Sequence, residues 1–168
     1  MSERGSARVV VIDSGVDAMH PALRGRCRVV AGPSFHAGGV DDPTGGGSDL
    51  LGHGTAVAAT IVQFLEPGGD VELTSLRVFG DSPTCDFTAV LHALQHALSL
   101  SPVLVNLSLG TTSLRHREAL TSWLLAARER GSRLVAPASY GGLPCDPGNL
   151  AGVEAVVSDP NVLPMLPE

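Results

Sequence analysis

Basic residues are scarce in this sequence. Only 11 of its 168 residues are Lys or Arg, against 17 Asp and Glu, and the formal net charge is −6 at pH 7. The basic residues are scattered along the chain, and the one tight group is Arg24, Arg26 and Arg28. Phosphate backbones are bound by clustered Lys and Arg side chains. The charge pattern therefore argues against a nucleic-acid partner.

Long apolar runs are also missing. No stretch approaches the roughly 20 apolar residues that a membrane-spanning helix needs, so no membrane segment is predicted. Residues 1–8 are polar and lack the apolar stretch of a signal peptide. A strand-like run starts at Val9, which leaves no room for a prosegment. These features predict a cytoplasmic protein.

Cysteines are few and poorly spaced for a metal site. Cys27, Cys85 and Cys145 are odd in number and none belongs to a CxxC pair, which argues against a disulfide framework and a zinc site. His92 and His96 have the i, i+4 spacing of helical metal ligands, but no HExxH motif or nearby carboxylate accompanies them. We therefore expect three reduced thiols, no metal site and no cofactor.

Hydrophobic residues make up 43% of the chain, and their periodicity predicts an α/β fold. Short β-branched runs predict buried strands, and longer runs with apolar residues at i, i+3 and i+4 predict helices. The predicted strands are residues 8–12, 71–78, 103–107, 133–136 and 153–157, and the predicted helices are residues 55–65, 87–100 and 115–130. This alternation implies a parallel sheet with right-handed crossovers. We expect one domain over residues 1–168, in which residues 160–168 form a Pro-rich tail.

The carboxyl ends of the predicted strands are where such sheets bind ligands. Asp13 follows the first strand, residues 108–110 follow the strand at 103–107, and Ser139 and Tyr140 follow the strand at 133–136. His53 lies instead at a loop-to-helix junction. It comes after a glycine-rich segment, residues 37–49, which we expect to be a mobile surface loop.

Three motifs resemble the subtilisin-like serine proteases, the subtilase family. The first is VVVIDSGVD at residues 9–17, followed by HPAL at residues 20–23. The second is GHGTAVA at residues 52–58, and the third is VNLSLG at residues 105–110. Each string alone could arise by chance, but all three occur in the family's order. The resemblance covers most of the chain and implies a three-layer subtilisin-like fold, with a mainly parallel sheet that is truncated on its C-terminal side.

The resemblance implies roles for individual residues. Asp13 and His53 match the family's catalytic aspartate and histidine. In such a pair the carboxylate accepts a hydrogen bond from histidine Nδ1, so that Nε2 faces the reacting group. The third motif resembles the segment that pairs with a bound peptide backbone. The implied substrate-binding residues are Ser108, Leu109, Gly110, Ser139 and Gly141.

The sequence departs from the family at the nucleophile. The family's Gly-Thr-Ser-Met-Ala element is absent from the 168 residues. The serines of the final stretch are Ser139 and Ser158, and Ser158 lacks the glycine and the helix that would present a nucleophile. In subtilisin itself, removal of the nucleophile lowers turnover about a million-fold. We therefore expect no autonomous serine-protease activity.

Two further residues near the predicted pocket are candidates for catalysis. Tyr140 stands where the family has the side-chain amide of its oxyanion hole, and a tyrosine hydroxyl can also donate to an oxyanion. Cys145 could act as a nucleophile, but Asp146 beside it would raise the pKa of the thiol. An unreactive thiol is therefore the reading that we favour for Cys145.

Three functions remain open at this point. The chain could recognise an extended peptide without catalysis, through main-chain pairing with residues 105–110. It could be a non-proteolytic enzyme that uses Asp13 and His53 as an acid/base pair to modify or cyclise a peptide-derived substrate. It could also be half of a split serine protease, in which a partner chain supplies the nucleophile. A partner chain or a second copy would then cover the open side of the sheet.

Overall fold

The computed structural model describes residues 6–65 and 70–158. In this part of the chain the strands, in order, are β1 (Ala7–Asp13), β2 (Arg28–His36), β3 (Gly39–Asp42), β4 (Val71–Arg77), β5 (Leu104–Leu107), β6 (Arg133–Pro137), β7 (Ser139–Tyr140), β8 (Leu143–Pro144) and β9 (Val153–Val156). The helices are α1 (His53–Gln63), α2 (Phe87–Ser99) and α3 (Arg117–Glu129), and 3-10 turns occupy Gly45–Gly47 and Leu114–His116.

Seven strands form one sheet in the order β3-β2-β4-β1-β5-β6-β9, while β7 and β8 pair as a separate hairpin. Within the large sheet, β2 and β3 are antiparallel and the other neighbours are parallel. The mixed α/β fold with a mostly parallel sheet is therefore confirmed. The five strands and three helices predicted from periodicity correspond to β1, β4, β5, β6, β9 and α1–α3, with ends that differ by a few residues.

The helices lie on both faces of the sheet. Successive side chains of a strand point to opposite faces, and β1 is buried on both. Val11 packs in a cluster with Ala58 and Val62 of α1, whereas Val10 and Ile12 pack in a larger cluster with α2 and α3. Burial on both faces explains why the β1 sequence is a continuous apolar run. The same burial holds the carboxyl end of β1, where Asp13 lies, firmly in place.

Strand β2 was not predicted from the sequence. Gly32 and Pro33 interrupt its apolar run, and proline has no N–H to donate to a neighbouring strand. The structure accommodates the interruption through a register shift against β4 between Ala31 and Ser34. A side chain at position 32 would press on Leu76 at 2.6 Å, so the glycine is required there. The strand continues past a break that a pattern of apolar residues cannot bridge.

The prediction of a surface loop over residues 37–49 is wrong in its centre. Gly45 and Gly46 are buried, and β3 lies in the first part of the segment. The carbonyl oxygen of Gly46 accepts hydrogen bonds from the amide of Val16 at 2.9 Å and from the hydroxyl of Ser75 at 2.8 Å. A Cβ on Gly46 would collide with the carbonyl oxygen of Ser75. These glycines therefore fill a narrow space beside β4.

Some predictions fall outside these observations. The Pro-rich tail, residues 160–168, lies outside the described residues, and the single-domain assignment stays a prediction. Among residues 6–65 and 70–158, no helix has the length and apolar character needed to cross a membrane.

Candidate active site

Asp13 and His53 form a direct hydrogen bond. Asp13 is the last residue of β1 and is 1% exposed, and His53 is the first residue of α1. The Nδ1 atom of His53 lies 2.8 Å from Oδ1 and 3.0 Å from Oδ2 of Asp13. The amide of Ser14 donates a further hydrogen bond to Oδ1 at 2.7 Å. Because Nδ1 donates its proton to a buried carboxylate, Nε2 of the neutral ring is the atom with the free lone pair.

The imidazole is open to solvent although its partner is buried. The His53 side chain is 58% exposed, against 1% for the Asp13 side chain. Within the described residues, the carboxylate of Asp13 is the hydrogen-bond partner of the ring. Neither Ser139 nor Ser158 is hydrogen-bonded to the His53 ring. An imidazole held in this way can accept a proton at Nε2, and within the described residues no hydroxyl group is hydrogen-bonded to the ring.

Glycines allow the two turns that carry this pair to meet. Gly15 has φ of 106°, and Gly52, the N-cap residue of α1, has φ of 78°. Both values lie in the region that residues with a Cβ rarely adopt. Gly54 approaches the turn after β1 so closely that a Cβ there would collide with the carbonyl oxygen of Gly15. A Cβ at position 54 would also lie 3.1 Å from Cβ of Asp13. The glycine at this position therefore allows the start of α1 to pack against the end of β1.

A cleft of about 690 Å³ opens beside the pair. Its lining joins the ends of several strands and the loop before α2, and it is more apolar than polar. The residues that line it are Asp13, Leu51, His53, Phe79, Pro83, Thr84, Cys85, Phe87, Ser108, Leu109, Gly110, Thr111, Pro137 and Tyr140. Of the substrate-binding residues predicted from the sequence, Ser108, Leu109 and Gly110 line the cleft. Ser139 and Gly141 do not.

The segment after β5 presents main-chain groups to the cleft. Within the described residues, neither Leu109 nor Gly110 takes part in a backbone hydrogen bond. The segment is held at its far end by Thr111, whose amide and carbonyl bond to the carbonyl and amide of Asp146, both at 2.8 Å. At its near end, the Asn106 side-chain amide donates to the hydroxyl of Ser108 at 2.8 Å. The backbone groups of the two residues in between thus have no backbone partner within the described residues.

Tyr140 and Cys145 occupy different surroundings. Tyr140 lies on the β7–β8 hairpin, is 77% exposed and reaches the edge of the cleft. Cys145 is buried and does not line the cleft. Its thiol donates to the carbonyl oxygen of Pro137 at 3.3 Å. Burial raises the pKa of the Cys145 thiol, and the neighbouring carboxylate of Asp146 raises it further, so the thiolate form is disfavoured.

The part of the cleft lining that lies after β4 and before and within α2 was not predicted. Phe79 follows the carboxyl end of β4, and Cys85 and Phe87 lie in and after the loop that leads into α2. Burial and the adjacent Asp86 raise the pKa of the Cys85 thiol to about 11. The rule that ligands bind beyond strand ends applies to β4 as it does to β1 and β5. Phe79 directly follows the predicted strand at 71–78, so this rule also indicates Phe79 as a residue of the cleft.

A smaller groove of about 300 Å³ also reaches the imidazole. It runs between an exposed stripe of α1 and the end of β5, and its lining residues are His53, Ala56, Val57, Thr60, Ile61, Asn106 and Ser108. The side chains at 53, 56, 57, 60 and 61 share one face of the helix. Val57 and Ile61 are partly buried against the cluster that contains Ala58 and Val62, and they also line this groove.

No metal centre is visible in the part of the chain that the structure describes. There, no three His, Cys, Asp or Glu side chains are grouped in a way that could hold a metal ion. His96 packs its ring against Phe35 with centroids 5.7 Å apart. His92 Nε2 lies 3.3 Å from the carbonyl oxygen of Ala37. The two histidines therefore contact the β2–β3 region separately.

Comparisons with known proteins agree on one family. The model of the subtilase family, Peptidase_S8, matches residues 5–142. The thermostable alkaline protease of Halalkalibacterium halodurans is 30% identical over 116 residues, which are 64% of this chain and 28% of that protein. Thermitase of Thermoactinomyces vulgaris is 27% identical over 148 residues, which are 84% of this chain and 50% of thermitase. The chain therefore spans half or less of the length of these relatives.

Solved structures give the same fold. The crystal structure of a lanthipeptide protease superposes with a TM-score of 0.70 at 22% sequence identity. The match covers 94% of this chain and 50% of the lanthipeptide protease. At this identity the likeness concerns the fold.

Proposed function

The chain belongs to the subtilase family, and from that premise we propose that its cleft binds an extended peptide and that His53 acts on it as a general base oriented by Asp13. The observation that carries the proposal is the hydrogen bond between Asp13 and His53, both of which line the cleft. His53 lines the cleft, its side chain is 58% exposed and its Nδ1 is bonded to Asp13, so its Nε2 can take a proton from a bound group. The carboxylate of Asp13 then stabilises the imidazolium that forms.

Peptide recognition is supported by the wall formed by residues 108–110. A bound peptide in extended conformation can pair its own N–H and C=O groups with those of Leu109 and Gly110, as in the addition of a strand to a sheet edge. The apolar residues of the cleft, Phe79 and Phe87 among them, would receive a side chain of that peptide. The likeness to a lanthipeptide protease agrees with a peptide as the substrate.

Hydrolysis by the family's mechanism needs a serine nucleophile, and within residues 6–65 and 70–158 the His53 ring is hydrogen-bonded to Asp13 and to no hydroxyl group. We therefore propose that these 168 residues do not cleave a peptide unaided, and that a serine from polypeptide outside them completes the site. The groove along Val57 and Ile61 supports this arrangement, because it leads to His53 and offers an apolar helix face. A segment packed there would reach the imidazole beside Ser108, which also lines the cleft.

A second function is favoured by the completeness of the Asp13–His53 pair within the described residues. Proton transfer alone suffices for isomerisation, elimination or cyclisation of a suitable peptide. The pair would then work without a serine. This alternative predicts a product of unchanged mass, or one that has lost water or ammonia, in place of two fragments.

The test combines binding with product analysis. The 168-residue chain is titrated with fluorescently labelled extended peptides that carry one large apolar side chain, and the mixtures are then analysed by mass spectrometry. We expect saturable binding with no cleavage, and binding that persists in His53→Ala because the wall at 108–110 is untouched. Cleavage into two fragments by the chain alone would contradict the missing nucleophile. Absence of binding to any such peptide would contradict the recognition.

A variant of the wall gives the matched comparison. A Cβ at position 110 would lie 2.6 Å from the sulfur of Cys145, so Gly110→Ala should displace the segment and weaken binding. Leu125→Ala on the outer surface of α3, where Leu125 is 61% exposed, is the control and should bind like the parent chain.

A further inference from the structure

Asp49 has an unusual number of hydrogen-bond donors around its carboxylate. Oδ1 accepts from the hydroxyl of Ser14 at 2.7 Å, from the amide of Gly52 at 2.8 Å and from the amide of Leu51 at 3.2 Å. Oδ2 accepts from the amide and the hydroxyl of Thr55, at 2.8 and 2.5 Å. Asp49 thus contacts the turn after β1 and the first turn of α1 at the same time.

The partners of Asp49 extend this network to both members of the pair. The hydroxyl of Ser14, besides donating to Asp49, accepts a hydrogen bond from the amide of Gly54 at 3.0 Å. The amide of Ser14 donates to Asp13, and Gly54 is the residue after His53. The hydroxyl of Thr55 also accepts from the amide of Asp17 at 3.0 Å. The carboxylate of Asp49 therefore connects the turn that follows Asp13 to the first turn of α1, which begins at His53.

The environment favours the charged form of Asp49. Burial by itself would raise the pKa of this carboxyl. Hydrogen bonds from Thr55, Ser14 and Gly52 outweigh that effect, so the pKa lies below its ordinary value. Asp49 also lies at the N-terminus of α1, where the helix dipole stabilises a negative charge. Charge-assisted hydrogen bonds of this kind are stronger and more directional than neutral ones.

We propose that Asp49 is the positioning residue of the site: it sets the Asp13–His53 hydrogen bond, and with it the ring tautomer, by holding Ser14 and the first turn of α1 in one rigid unit. The catalytic meaning of this role rests on the proposed function, whereas the geometric role does not. Asp86 offers the contrast. It caps α2 by accepting a hydrogen bond from the amide of Thr88 at 2.8 Å, and within the described residues its side-chain hydrogen bonds stay in that one turn.

The test reads the imidazole of His53 directly. Ring nitrogens are labelled with 15N, and their chemical shifts report which nitrogen carries the proton in the neutral ring. We expect the parent chain to hold the Nδ1–H tautomer, as the bond to Asp13 requires, and Asp49→Asn to shift the ring toward the Nε2–H tautomer. Asp86→Asn is the matched control, because it also neutralises a carboxylate at a helix N-terminus, and it should leave the tautomer unchanged.

Two outcomes would overturn the inference. One is an Nδ1–H tautomer that persists in folded Asp49→Asn at the parent level; the other is an equal shift in Asp86→Asn. Should Asp49→Asn fail to fold, Ser14→Ala and Thr55→Ala each remove part of the network and are read in the same way, with an unchanged tautomer in both contradicting the proposal. Because the measurement uses the free chain, a shifted tautomer together with absent peptide binding would reject the proposed function while leaving the role of Asp49 intact.

Discussion

Gly54 packs directly against the carbonyl oxygen of Gly15, with no room for a methyl group between them. Position 54 is in the first turn of α1, and position 15 is in the turn after β1. The contact therefore sets how near the helix that carries His53 comes to the strand that carries Asp13. A glycine in a helix is intrinsically unfavourable relative to alanine, so its presence here reflects the close approach and not the helix.

The first prediction concerns Gly54→Ala. Helix propensity alone would stabilise this variant by about 1 kcal/mol, but overpacking against a backbone atom typically costs about 1–3 kcal/mol. We expect a net loss of stability in urea unfolding, together with loss of the Nδ1–H tautomer of His53. Gly80→Ala is the control, because nothing lies within 4 Å of a Cβ there, and its stability should stay within about 0.5 kcal/mol of the parent chain. Equal stabilities for the two variants would contradict this account.

The second prediction is a pH dependence that arises from Asp49. Its carboxyl has a lower pKa in the folded chain than in the unfolded one, so its contribution is present above the unfolded pKa, near 3.9. That contribution is lost as the pH falls through the folded pKa. We expect Asp49→Asn to lower the free energy of unfolding by about 0.5–2 kcal/mol at pH 7, the range found when a side chain that accepts hydrogen bonds from the amides of a helix N-terminus is replaced. The difference from the parent chain should narrow steadily below about pH 4. Urea unfolding at several pH values measures both, and a difference that is constant down to pH 3 would argue against a charged Asp49.

Local motifs carried most of what the sequence predicted about the site. Asp13 and His53 lie at the ends of a buried strand and a helix, so their placement follows once those elements pair as periodicity indicates. The role of Asp49 depends on two turns that are 35 or more residues apart in the chain and meet only in the fold. Its carboxylate gives no local signal beyond an acidic residue before a helix. Sequence patterns therefore predicted the contact between Asp13 and His53 and did not predict that Asp49 connects their two turns.

The positions of Ser139 and Gly141 have a similar cause. The family resemblance implied that both bind substrate, and neither lines the cleft. The chain instead turns back at Gly141 and Gly142, whose φ values of 56° and 80° form the tight turn of the β7–β8 hairpin. Consecutive glycines favour this kind of turn, and the hairpin leaves Tyr140, but not its neighbours, at the edge of the cleft.

The third prediction concerns Phe79, an apolar residue that lines the cleft. Phe79→Ala should weaken binding of a peptide with a large apolar side chain, because burial of such a side chain contributes about 1.5–3 kcal/mol, which corresponds to roughly a tenfold or greater rise in Kd. Phe64→Ala is the matched control, since Phe64 is 69% exposed and does not line the cleft. Fluorescence anisotropy with the same labelled peptide measures both. An unchanged Kd in a Phe79→Ala chain that unfolds at the parent temperature would show that the peptide binds elsewhere.

The fourth prediction concerns the reactivity of the cysteines. Cys145 is buried, and its thiol donates a hydrogen bond to the carbonyl oxygen of Pro137. Burial and the carboxylate of Asp146 raise the pKa of this thiol. The pKa of Cys85 is raised to about 11. Because the thiolate is the reactive species, iodoacetamide at pH 7.5 should modify both residues slowly in the folded chain and quickly in urea, as measured by mass spectrometry of digests. Cys145→Ser should likewise leave any peptide-modifying activity unchanged. Rapid modification of Cys145 in the folded chain, or loss of activity in Cys145→Ser, would restore it as a nucleophile.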